Sequence, residues 1–234
     1  MKIAGLQKLT HIDYPGKLAC IVFTQGCNFN CFYCYNKNLI PENGETEISE
    51  EDVLKYLNLR EDFLEGVCIC GGEPSIQDLK PFIKKVKELG YPVKIDTNGS
   101  NPNAIKELID ENLVDYVAMD IKTIPKLYDE VTRTKVDNEA IEEIIKVLID
   151  SNIDYEFRTT IIHSDWYHDI LEIIEWFKRL SPDKKAKKYC LQQVSDTSGK
   201  PIFKVSRTIL DDMARSLKQV SQEVVLMFRK GENV

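Results

Sequence analysis

Short β-branched runs alternate with amphipathic helical stretches along this chain, and the junctions carry legible start and stop signals. No other feature constrains the fold as much, because such alternation means parallel strands joined by crossover helices. Strands are expected at 18–24, 67–70, 93–97, 114–121, 153–159 and 189–194, with 224–228 a candidate short seventh. Helix starts read at Ser49 before "EED", at Asp78 with Pro81 in the first turn, at Asn101 followed by Pro102, at Ser164 before "DWYHD", and at Ser206. Leu79, Phe82, Ile83 and Val86 keep the helical period, as do Ile141, Ile144, Ile145 and Leu148. Gly90 followed by Pro92 stops one helix. The stretch "TIPKLYDEVTRTKVD", 123–137, reads either as an irregular helix or as a surface loop.

Six β/α units amount to three quarters of an eight-unit barrel, so the expected class is α/β, a partial (β/α)6 TIM-like barrel with its chemistry at the C-terminal strand ends. No repeat, low-complexity tract or composition shift marks a second domain. The chain 1–234 therefore reads as one domain, with 1–17 an extension, 18–194 the barrel core, and 195–234 a loop, helix and short strand. Its 234 residues suffice to bury roughly 70–75% of the unfolded surface, so the core needs no disulfide staples.

Strands covered on both faces should be almost wholly apolar, and these are not. By the two-residue period of a strand, Lys94 and Asp96 share one face, Asp120 and Lys122 another, and Glu156 and Arg158 a third. An unpaired buried charge costs several kcal/mol. Three such pairs near strand ends ask for a polar barrel interior and a charged ligand; plain solvent exposure of the ends is the simpler alternative.

Composition bounds the setting. Seven cysteines is an odd count and the N-terminus lacks the apolar stretch of a secretory signal, so reduced thiols in a cytoplasmic protein are expected. No apolar run approaches a bilayer span, and a net charge of −7 argues against a nucleic-acid surface, so neither membrane nor nucleic acid is an expected partner. The basic run "KRLSPDKKAKK", 178–188, reads as a solvated loop rather than a docking patch. His11, His163 and His168 lack metal-ligand spacing, and Trp166 and Trp176 lie in an amphipathic helix as packing residues.

In "QGCNFNCFYCYN", 25–36, Cys27, Cys31 and Cys34 follow the first expected strand with no fourth ligand close by. A structural zinc site takes four ligands, usually as two short-spaced pairs. Cys20, Cys68, Cys70 and Cys190 read instead as buried strand residues. Three thiolates suit a four-iron cubane in which one iron keeps an open coordination position.

The segment "CNFNCFYC" resembles the C-x3-C-x2-C signature of the radical S-adenosylmethionine superfamily, with Tyr33 as the usual aromatic before the last cysteine. The resemblance implies a radical SAM core, a [4Fe-4S] cluster on Cys27, Cys31 and Cys34, and S-adenosylmethionine chelating the open iron. "GGEP", 71–74, is similar to the family's methionine-binding motif: Gly71 and Gly72 permit close backbone approach, and the Glu73 carboxylate can accept from an ammonium group.

Further stretches, "LTHIDYPGKLACIVFTQGC", "DTNGS", "DYVAMDIK", "YEFRTT" and "LQQ", resemble the activating enzymes of glycyl-radical enzymes, most of all those of anaerobic ribonucleoside-triphosphate reductase. That resemblance implies a monovalent cation held by Asp96, Thr97 and Asp120, though the methionine some activases carry two residues before the last aspartate is Ala118 here, with Met119 facing the other way. It implies cofactor-carboxylate contacts from Lys122 and Arg158 and a ribose contact from Gln193. "DYPG", 13–16, has the residues of a type II turn, and the resemblance gives Asp13 a substrate role. Tyr35 departs from the histidine many activases have after the last cysteine, whereas Asn36 matches.

The implied function is one-electron reduction by a flavodoxin or ferredoxin, reductive cleavage of S-adenosylmethionine, and removal of a glycine Cα hydrogen from a partner glycyl-radical enzyme. Two rivals stand beside it: a radical enzyme acting on a small molecule, such as a 7-carboxy-7-deazaguanine synthase, and an iron-sulfur electron carrier or zinc-stabilised binding protein.

Overall fold

The computed structural model describes residues 1–44, 48–161, 166–193 and 205–227. Among these residues eight strands form one sheet in sequential order: β1 (Ile3–Thr10), β2 (Ala19–Thr24), β3 (Gly66–Gly71), β4 (Val93–Thr97), β5 (Tyr116–Asp120), β6 (Asp154–Ile161), β7 (Ala186–Gln193) and β8 (Ser221–Met227). β1 runs antiparallel to β2, and every other neighbouring pair is parallel. Strands β2 to β7 are the six expected parallel strands, and β8 is a full seventh of seven residues. Residues 3–10, read from sequence as part of an extension, belong to the sheet instead. Met1 anchors that end, its ammonium paired with Glu50.

Between the strands the described residues form seven α-helices: α1 (Glu50–Asn58), α2 (Lys80–Glu88), α3 (Pro102–Asp110), α4 (Tyr128–Thr132), α5 (Asn138–Asp150), α6 (Trp166–Leu180) and α7 (Arg207–Leu217). Ser49, Asn101 and Ser206 cap α1, α3 and α7 by accepting from Asp52 N (3.1 Å), Ala104 N (3.4 Å) and Ile209 N (3.3 Å), as their side chains predict. Asp78 does not cap α2, which begins at Lys80 with Leu79 in the capping position. Asp137 caps α5 through Glu139 N and Ala140 N. The start expected at Ser164, together with His163, lies outside the described residues, as do the far ends of the strands expected to reach 194 and 228.

Alternation along the strands splits the sheet into two faces. Val67, Ile69, Val93, Ile95, Val117, Met119, Phe157 and Leu191 point to the helices and pack with Phe82, Ile83, Ile144, Ile145, Ile173 and Phe177 in the main core. Phe157 meets Phe177 edge-on at 5.0 Å, and Trp166 and Trp176 are buried packing residues. Opposite-face residues align across the strands: Cys68 with Lys94, Asp96 with Ala118, Ala118 with Glu156, Asp120 with Arg158, and Arg158 with Cys190. Cys68, Cys70 and Cys190 therefore lie on this inner, polar face; Cys68 and Cys190 are buried, as expected of strand cysteines, and Cys70 is half-buried.

At the N-terminal ends of the strands, Tyr14 packs on Tyr116 with ring centroids 6.0 Å apart, and joins Ala19 and Ala118 in a small second core. The turn Tyr14–Pro15–Gly16–Lys17 closes through Lys17 N to Tyr14 O at 3.1 Å, with Gly16 at φ 74° as a type II turn requires. The basic run is a solvated connection into β7: Lys178 pairs with Glu175, Lys184 with Asp150 and Lys187 with Asp154. Among the described residues no helix is long and apolar enough to cross a membrane.

Candidate iron-sulfur cluster and cofactor site

The cysteine loop leaves the C-terminal end of β2 and closes on itself. Gly26 N donates to Leu39 O at 2.8 Å and Cys27 N to Ile40 O at 3.0 Å, while Gln25, buried beneath, donates to Asn38 O at 3.3 Å and to Pro41 O. Within it, Cys34 N donates to Cys31 O at 3.0 Å and Phe29 N to the Cys27 sulfur at 3.4 Å. Burial pushes the Cys27 thiol up to about 11 and raises Cys31 as well, against the lowering field of Lys122. Both are thus thiols at neutral pH, and ligating a metal must displace their protons.

The "GGEP" turn at the end of β3 is joined directly to this loop. Gly72 N donates to Thr24 O at 2.9 Å and Glu73 N to Gly26 O at 2.8 Å. A Cβ on Gly72 would lie 1.9 Å from Gly26 O, and one on Gly71, at φ 116°, would lie 2.5 Å from Thr24 N. The close backbone approach expected of these glycines is real, and what approaches is the cysteine loop. Glu73 is 1% exposed. Its carboxylate accepts from Ser75 N (3.0 Å), Thr97 Oγ1 (2.7 Å) and Asn98 N (2.6 Å). Burial raises its pKa, opposed by these hydrogen bonds. Three of about four acceptor positions are in use, which leaves room for one more donor.

The turn after β4 closes the third side. Asn98 Nδ2 donates to Asn28 Oδ1 at 2.9 Å, and Asn28 Nδ2 to Ser100 Oγ at 2.8 Å, so the residue after Cys27 is tied to the "DTNGS" segment. Asn28, Asn98 and Ser100 escaped the sequence reading; the clue was an Asn-Gly turn beside Thr97. Gly99, at φ 78°, has a backbone conformation that strains any side chain, and a Cβ there would displace the end of Met119.

Below these turns the inner face carries a chain of alternating charges. Lys94 pairs with Asp96; Arg158 bonds Asp96 and Asp120, each at 2.8 Å; Lys122 bonds Asp120 at 2.7 Å. Burial alone would raise both aspartates, but Arg158 with Lys94 holds Asp96 low, and Arg158 with Lys122 holds Asp120 well below the usual range. Lys94, Lys122 and Arg158 are held protonated in turn, burial being overcome by their aspartate partners. Three cations against two carboxylates leave one surplus positive charge. Further along, Glu156 accepts from Tyr116 OH at 2.9 Å and pairs with Lys188 at 3.4 Å.

The residues expected to hold a monovalent cation are engaged with internal partners: Asp96 pairs with Lys94 and Arg158, Asp120 with Arg158 and Lys122, Thr97 donates to Glu73, and Ala118 has no polar side chain. At the end of β7, Gln193 aligns with Ile161 on the helix-facing side and Gln192 with Thr160 on the inner face. Asp13 lies at the far end of the sheet, its carboxylate accepting from Thr10 Oγ1. Six residues of β2 separate that end from the cysteine loop, roughly 20 Å at about 3.3 Å per residue, so Asp13 does not reach the cofactor site.

Among the described residues no three His, Cys, Asp or Glu side chains gather around a single point as one metal ion requires. A cubane spreads its thiolates over different irons, so three thiols distributed along one loop suit it without converging. The fit is supported by the Tyr33 hydroxyl, which is buried in the loop with no hydrogen-bond partner, and by the glycine cradle beneath. Tyr35 is exposed.

The Radical SAM superfamily profile matches residues 21–177. A protein of Methanocaldococcus jannaschii provisionally named a glycyl-radical enzyme activating enzyme is 36% identical over 166 residues, 68% of each chain. The pyruvate formate-lyase 1-activating enzyme of Escherichia coli is 28% identical over 171 residues, 69% of this chain and 68% of that one. Among solved structures, SuiB of Streptococcus suis bound to S-adenosylmethionine superposes with a TM-score of 0.66 at 16% identity over 87% of this chain, which spans about half (48%) of SuiB. QueE of E. coli superposes with a TM-score of 0.58 at 19% identity, over 97% of this chain and 93% of that one. The chain belongs to the radical SAM superfamily and, within it, to the glycyl-radical enzyme activating enzymes.

Proposed function

We propose that the protein activates an anaerobic ribonucleoside-triphosphate reductase by taking the Cα hydrogen from one of its glycines, with a flavodoxin or ferredoxin as electron source. The observation that carries this reading is the joining of three segments at one end of the sheet, namely the cysteine loop, the Gly71–Gly72–Glu73 turn and the turn after Thr97, above an inner face with surplus positive charge. Cys27, Cys31 and Cys34 hold three irons of the cluster. When bound and reduced, that cluster supplies the electron that cleaves S-adenosylmethionine into methionine and a carbon radical.

The chain's own residues bind and orient. Lys122 and Arg158 present the surplus positive charge to the methionine carboxylate, and Glu73 offers its remaining acceptor position to the ammonium. The Tyr33 hydroxyl and Gln192, in place of Gln193, are the polar groups available to the nucleoside. Asp96 and Asp120 stay ionised throughout the neutral range and do not exchange protons with substrate. They keep Arg158 fixed between them. Tyr14 over Tyr116 closes the opposite end of the inner face, and Asp13 beside it is left a contact with the partner protein. All seven cysteines are unpaired, which suits the reducing cytoplasm where we place the enzyme.

Electron paramagnetic resonance tests the reading. Reduced enzyme given S-adenosylmethionine and the reductase should produce a glycine-centred doublet in the reductase. Turnover of a free small molecule without a partner, as 7-carboxy-7-deazaguanine synthases achieve, would remove the activase. An electron carrier would release neither methionine nor 5′-deoxyadenosine.

A further inference from the structure

Residues 125–136 are used by none of the roles above, yet they grip the cysteine loop. A 3-10 turn (Pro125–Leu127) runs into α4, which ends at Arg133 in the left-handed conformation, φ 52° and ψ 33°. The terminal carbonyls of so short a helix lack intrahelical donors. Here they are met by the cysteine loop: Asn30 N donates to Thr132 O at 2.9 Å and Phe32 N to Val131 O at 3.3 Å, one on each side of Cys31. The fixed end of the element is anchored in the core, where Tyr128 OH accepts from Lys122 N at 3.1 Å and its ring packs against Trp176. Thr132 is fully buried and donates to Tyr128 O at 2.7 Å.

A left-handed residue at a helix end is ordinarily glycine, because a Cβ there is strained. Glycine here would relieve the strain, and arginine keeps a side chain in its place. Its guanidinium lies 5.9 Å from the centroid of the Phe32 ring, which is 37% exposed, so a cation rests on the aromatic that follows Cys31.

We propose that residues 125–136 form a clasp that holds the cysteine loop in its cluster-binding conformation, with Arg133 as the positioning residue that locks it through Phe32. The clasp depends on the cluster assignment alone and not on which protein is activated, so failure of the activase reading leaves it standing.

The test compares reconstituted wild-type enzyme with Arg133→Gly, Arg133→Lys, Phe32→Leu and the Arg133→Gly/Phe32→Leu double variant. Two quantities are measured: the anaerobic rate of iron loss to a chelator, and the thermal midpoint of the cluster-free chain. Arg133→Gly keeps the backbone shape and relieves its strain, so its cluster-free midpoint should equal or exceed wild type while iron loss quickens several-fold. Lysine should restore most of the wild-type rate, and the double variant should lose iron no faster than the quicker single one. Wild-type rates in Arg133→Gly would overturn the proposal, as would additive effects in the double variant. So would a fall in the cluster-free midpoint that lysine does not rescue, since that marks a merely structural residue.

Discussion

The two faces of strands β4 to β6 are built from alternate residues of the same segments and obey different rules. On the helix side Val93, Ile95, Val117, Met119 and Phe157 are fully buried, and their contribution is apolar area removed from water. On the other side Lys94, Asp96, Asp120, Arg158 and Lys122 form a continuous chain of ion pairs. Ion pairs of this sort add little net stability over an apolar replacement, yet removing one member is costly because its partners stay buried and charged. The outer face makes the fold, and the inner face spends stability to keep a positive, preorganised wall beneath the cysteine loop.

The largest effect expected is on function alone: Cys31→Ala should abolish cluster assembly and all S-adenosylmethionine cleavage, read as iron content and 5′-deoxyadenosine released. Full activity in that variant would remove the ligand assignment. Next, the adjacent residues 157 and 158 allow a direct contrast between the faces. Phe157→Ala should cost about 3–5 kcal/mol from the cavity left in the outer core. Arg158→Leu should cost less, about 1.5–3 kcal/mol, because Asp96 and Asp120 lose their shared charge-assisted partner and keep only Lys94 and Lys122. Urea titrations across pH separate them: the Arg158→Leu deficit should shrink as the two carboxylates protonate toward acid pH, while the Phe157→Ala deficit stays constant. Equal pH behaviour in both would break the contrast.

For the wild type the sign follows from the aspartates. Their pKa values are lower folded than the unfolded value of about 4, so their contribution is fully present above that value and is lost as pH falls through the depressed folded ones. This network should therefore leave stability flat from about pH 5 to 9 and erode it below about pH 4. Of smaller size, Lys122→Met should weaken S-adenosylhomocysteine binding by about tenfold, one charge-assisted contact, while Arg158 still holds Asp120. Smallest, Asp137→Ala should cost about 1 kcal/mol by uncapping α5 without touching cofactor affinity.

What was legible in the sequence is what local rules determine. β4 matched residue for residue because Gly90 and Pro92 precede it and an Asn-Gly turn ends it. The three thiols stand out by spacing, and Gly71 and Gly72 by the motif they resemble. β1 was missed because "IAGLQKLT" leaves most of its side chains partly or fully exposed and forms a strand by pairing with β2. β7 was started three residues late because Lys187 and Lys188 disguised it as the end of a basic loop. The partners of Glu73 and of Arg158 sit on other strands, so sequence showed that charges shared a face and not that they would pair with each other. The 123–137 stretch, open in sequence between an irregular helix and a surface loop, forms a 3-10 turn and the short α4; what sequence could not show is its bonding to the cysteine loop about a hundred residues earlier.

Mössbauer spectroscopy of the anaerobically reconstituted enzyme tests the central claim most directly, that three cysteines hold a cluster with one iron left for the cofactor. One iron in four should be distinct, and its signal should shift when S-adenosylmethionine is added while the other three stay in place. Four equivalent irons, unmoved by the cofactor, would contradict the account.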